Sequence, residues 1–182
     1  MKHLKHYTII GILFVSVTGT LSHFLYDWSG HHPIVGLFTP VNESVWEHMK
    51  LLFFPMLLYA AIMIGKWKRQ YPPIVSALFF GILTGTLLIP LFYYAYTSVL
   101  GKNYVILDIG IFILSILISF WLSYKLTLSK KLESYTFVLC AAVCILLTCF
   151  LVFTRHPPNA AVFQNPAVSC SAVTSSFPPK GC

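Results

Sequence analysis

Seven consecutive residues, Asn42-Glu43-Ser44-Val45-Trp46-Glu47-His48, concentrate the reactive chemistry of this chain. They bring two carboxylates and an imidazole together in a protein with only five acidic residues. Imidazole nitrogen and carboxylate oxygen suit a divalent ion of the zinc, iron or manganese kind. Such an ion with an open coordination position activates water for hydrolysis. Upstream, His23 and Asp27 stand four residues apart, so a helix places them on one face. Far downstream comes one more acid, Asp108. The candidate polar site is therefore His23, Asp27, Glu43, Glu47, His48 and Asp108, with His23, Glu43, Glu47 and His48 as candidate metal ligands. The spacing matches no established ligand motif, and His-Glu-x-x-His is absent. Ligands of one ion must converge within about 5 Å of a common point, because the bonds are about 2.0–2.2 Å long.

Other readings compete. Ser44-Val45-Trp46-Glu47 is a capping box: the Ser44 hydroxyl accepts from the Glu47 amide, and the Glu47 carboxylate returns to the Ser44 amide. That accounts for Ser44 and Glu47, not for Glu43 or His48. A proton or ion relay extending to Asp108 is a second reading, and a purely structural cluster that ties helices together is a third. Asp108 falls near the start of a helix, where a carboxylate suits the dipole. His31-His32 reads as a solvated turn pair. Tyr93, Tyr94 and Tyr96 read as interfacial aromatics.

The elements that must position these groups are membrane spans. The chain is 57% hydrophobic and only 9% charged, whereas a soluble domain carries about 25% charge. Long uncharged runs define five expected spans at 7–26, 48–66, 73–97, 104–124 and 135–154. The expected fold is all-α, a polytopic bundle of five transmembrane helices over 1–154. The net charge of +7 raises the question of nucleic acid, but its distribution answers it. Lys2, Lys5, Lys66, Lys68, Arg69, Lys125, Lys130 and Lys131 flank one side of the spans, while Lys50, Lys102, Arg155 and Lys180 are scattered on the other. This positive-inside pattern gives an N-in, C-out topology. It assigns the charge to the lipid bilayer as partner and gives no support to a nucleic-acid role. The site then lies at the extracytoplasmic end of the bundle.

Packing signals follow. Gly81 and Gly85 form G-x-x-x-G, Ser115, Ser119 and Ser123 recur every four residues, and so do Cys140 and Cys144; small residues at this spacing let helices approach closely. Pro55 and Pro90 inside spans should kink them or free a carbonyl. The tail 155–182, rich in Pro, Ser and Ala, is expected to be extended or disordered. Its Cys170 and Cys182 lie where a disulfide is permitted.

The stretch from Phe38 through Leu51, with Phe53-Phe54-Pro55, resembles the signature of a family of small bacterial integral membrane proteins classed as a domain of unknown function. His23-Phe24-x-Tyr26-x-Trp28-Ser29-Gly30 and the region around Tyr94, Gly101 and Asp108 resemble it too. The resemblance covers about residues 7–166 and implies a multi-pass protein of the bacterial cytoplasmic membrane. It implies no catalytic roles. After Pro166 the tail departs from the family pattern. From the residues themselves the open functional readings are a metal-dependent membrane hydrolase acting on a lipid or envelope substrate, and a small-solute or ion transporter.

Overall fold

The computed structural model describes residues 2–129 and 131–166. Five long helices form the body: α1 (Lys2–Trp28), α3 (Val45–Trp67), α4 (Ile74–Leu100), α5 (Val105–Ser129) and α6 (Thr136–Phe153), with a short α2 (Pro33–Phe38) inserted between the first two. Among the described residues there is no strand. All five long helices are long and apolar enough to cross a membrane, and their bounds match the expected spans within a few residues.

Local chemistry sets the ends. α1 stops where Gly30 and His31 take left-handed backbone, φ 67° and 62°. The Ser29 hydroxyl clamps that turn, donating to Tyr26 O at 2.7 Å and accepting from the His32 amide at 3.2 Å. Pro33 then opens α2 at a position that needs no amide donor. Gly101, at φ 70°, ends α4 with its amide on Thr97 O.

α3 and α4 form the centre, and α1 and α5 close the bundle around them. The expected small-residue seam is real on α4 and α5. A methyl group on Gly81 or Gly85 would run into Ser119 and Ser123, so these helices meet at glycine against serine. Helices α3 and α4 run unbroken through Pro55 and Pro90. Pro55 lacks the amide that would bind the Leu51 carbonyl, and that carbonyl faces Gly19 of α1, within 2.5 Å of where a Cβ would stand. Only glycine fits there.

One packing expectation is corrected. Cys140 and Cys144 are exposed on α6; the helix instead buries Val143 and Phe150. Phe150 sits on Phe53 and Trp46, with ring centroids at 5.0 and 4.8 Å. After α6 the chain makes a short 3-10 turn at Ala161–Phe163, and the Phe163 ring meets Trp46 at a tilt, centroids 4.9 Å apart. Cys170, Cys182 and the rest of the tail lie outside the described residues.

Candidate functional site

Three of the six candidate residues converge. His23 lies near the C-terminal end of α1, His48 in the first turn of α3, and Glu43 in the loop just before it. That loop is shaped by its own side chains. The Asn42 carboxamide oxygen accepts from the Ser44 amide at 2.9 Å, and the Ser44 hydroxyl accepts from the Glu47 amide at 3.4 Å. Glu43 is held between these two turns. Its carboxylate oxygen lies 3.4 Å from His48 Nε2 and 3.6 Å from His23 Nε2. The three ligand atoms all lie within 4.8 Å of one another. Side-chain exposure is 32% for His23, 28% for His48 and 64% for Glu43, so the cluster opens to the surface.

Glu43 is held below the ordinary carboxylate range, chiefly by the hydrogen bond from His48 and then by the charge of both imidazoles, against partial burial. The other ring nitrogen of His48, Nδ1, lies 2.9 Å from the Ser44 carbonyl. A carbonyl can only accept, so Nδ1 carries the proton and the Nε2 lone pair faces Glu43 when the ring is neutral. Ligating histidines are commonly oriented in this way. Tetrahedral bonds of 2.0–2.1 Å put ligand atoms about 3.4 Å apart, close to both separations from Glu43.

The other three candidates lie elsewhere. Asp27 pairs with His31 at 3.1 Å on the exposed end of α1. Asp108, in the first turn of α5, accepts from the Tyr96 hydroxyl at 2.5 Å. Glu47 turns inward. The return arm of the capping box is corrected: the Glu47 carboxylate accepts from the Val41 amide at 3.0 Å, because the Ser44 amide is already taken by Asn42.

Glu47 is drawn inward by a residue that charge distribution assigned to the surface. Lys50 is fully buried. Its three N–H donors reach Glu47 Oε2 at 2.6 Å, the Thr154 hydroxyl at 2.6 Å and the Gly36 carbonyl at 3.1 Å, with the Thr39 carbonyl also near at 3.5 Å. The apolar segment 34–41 therefore folds back on the bundle as α2 and supplies backbone acceptors. The signal in the sequence was an acid three residues before a lysine leading an uncharged run, the spacing of a helical pair.

The chain belongs to DUF6512, a family of unknown function whose model matches residues 1–170. It is also similar to a heme A synthase of Ehrlichia canis (strain Jake), 27% identical over 175 residues; the match covers 89% of this chain, which spans about half, 49%, of that protein. No solved structure matches.

Proposed function

We propose that this member of the family is a multi-pass protein of the bacterial cytoplasmic membrane that binds one divalent transition-metal ion through His23, Glu43 and His48. With the N-terminus inside, as the basic flanks indicate, the site faces the extracytoplasmic side. The observation that carries the reading is the convergence of two imidazoles on one carboxylate, one imidazole already oriented by a backbone carbonyl. Two histidines and a glutamate are a donor set used by catalytic zinc, and three protein ligands leave a fourth position for water. An ion held there would lower the pKa of its water toward neutrality. The site's opening at the membrane surface then favours hydrolysis of a lipid or envelope substrate.

The two imidazole rings have centroids 5.3 Å apart and share Glu43. That fits one ion better than a porphyrin plane, so the chemistry in the name of the heme A synthase is not carried over. Transport is the second reading. It is favoured by Asp108, an acid held by the Tyr96 hydroxyl where α5 begins.

The test is metal titration of the purified protein. We expect a single Zn²⁺ or Mn²⁺ equivalent to raise the melting temperature, with the effect lost in Glu43→Ala and His48→Ala. Absence of any shift at millimolar metal would overturn the metal reading. Ion flux into proteoliposomes that needs Asp108 and no bound metal would favour transport.

A further inference from the structure

At the opposite end of the bundle, α1 and α5 flank an open cleft of about 590 Å³. Lys5, Ile9 and Ile12 line it from α1, and Leu117, Trp121 and Lys125 from α5. The spacing explains the surface. Residues 5, 9 and 12 share one helical face, as do 117, 121 and 125. Each face therefore runs from a lysine at the rim to aliphatic side chains below it. At 1.5 Å per residue each stripe is about 10–12 Å long, most of the hydrocarbon depth of one leaflet. Gly11 lets the Phe120 ring come against α1, so the two helices are held together beside the cleft.

Both lysines are exposed. Among the described residues no carboxylate lies within salt-bridge distance of either, and Glu133, the acid at this end, sits in the turn that packs near α4. Trp121 is 58% exposed, and an amphipathic ring at this level suits the headgroup boundary.

We propose that this cleft is a binding site for an anionic phospholipid of the surrounding leaflet. Its phosphate sits between the Lys5 and Lys125 ammonium groups, and an acyl chain lies along Ile9, Ile12, Leu117 and Trp121. Charge complementarity selects the occupant. Two unpaired cations at the rim of an apolar cleft match an amphiphile with one negative head, whereas a soluble anion leaves the apolar wall unused. This inference is independent of the metal site.

The test uses the full chain in liposomes, with dibrominated phosphatidylglycerol or dibrominated phosphatidylcholine as quenchers of tryptophan fluorescence. The Trp121 component is the difference between the wild type and Trp121→Phe. We expect brominated phosphatidylglycerol to half-quench that component at about a tenfold lower mole fraction, since each lysine near the surface favours anionic lipid. The double variant Lys5→Gln/Lys125→Gln should bring the two lipids to parity without lowering the melting temperature. The control Lys68→Gln/Arg69→Gln, outside the cleft, should keep the preference. Parity in the wild type would overturn the proposal. So would an equal loss in the control, which would mark a diffuse basic field and no specific cleft.

Discussion

Two polar clusters lie side by side at one end of this bundle, and they are built on opposite terms. In the first, Lys50 and Glu47 have side-chain exposures of 0% and 3%, and the ammonium meets four acceptors. In the second, both imidazoles stand 3.4–3.6 Å from Glu43, all three groups reach the surface, and among the described residues none of these contacts has full hydrogen-bond length. Three residues of loop and helix separate Glu43 from Glu47, yet one carboxylate is bonded into the interior and the other stays open to the surface. A closed cluster should respond to mutation in stability, and an open one in binding.

The strongest attempt to break that distinction is Lys50→Met. It strands the Glu47 carboxylate in the interior, and loss of one partner from a buried ion pair costs about 3–5 kcal/mol. We expect a correspondingly large loss of stability in denaturant titrations in detergent. The double variant Lys50→Met/Glu47→Leu should recover much of it, because no buried charge is left unpaired. If Lys50→Met melted like the wild type, the closed cluster would not be structural.

The second attempt acts on the open cluster. At a metal concentration of 100 times the wild-type dissociation constant, binding adds about 2.7 kcal/mol of stability. His48→Ala should abolish that increment while changing the metal-free protein far less than Lys50→Met does. The readout is the melting shift with and without Zn²⁺. Equal loss in both states would mean that His48 serves the fold.

How much of this was legible beforehand differs between the clusters for a physical reason. The five spans are visible because hydrocarbon demands about 20 apolar residues each. The meeting of Gly81 and Gly85 with the Ser119 and Ser123 stripe is visible as spacing. Cys140 and Cys144 share that spacing and face outward, because a period identifies a helical face without saying whether lipid or a neighbour covers it. Glu43 and His48 stood out because no local rule absorbed them. The role of Lys50 was hidden, since its acceptors come from Gly36, Thr39 and Thr154, the last 104 residues away. Charge counting sees only a lysine near a predicted membrane boundary.

A smaller effect sharpens the electrostatics of the open cluster. Glu43 in the folded protein sits below its ordinary carboxylate value. Its contribution to stability is therefore complete above the unfolded value of about 4.3 and is lost as pH falls through the lower folded value. The metal-free protein should lose melting temperature below about pH 4.3, and Glu43→Gln should lack that component. The drop should be modest, because the carboxylate is 64% exposed and solvent screens it.

The smallest expected effect is at Asp27, which belonged to the same candidate set as Glu43. Its partner His31 shares its exposure, 67% against 72%, and an exposed pair of this kind is worth about 0–1 kcal/mol. Asp27 also sits in the last turn of α1, outside the group formed by His23, Glu43 and His48. Asp27→Asn should therefore leave both the metal-free melting temperature and the metal-induced shift unchanged. A weakened metal shift in Asp27→Asn would show that Asp27 acts on the ion, and the open cluster would then extend along α1 beyond His23. An unchanged shift confines ligation to the three groups that meet at Glu43, where the loop between Asn42 and Ser44 holds the carboxylate against two imidazoles.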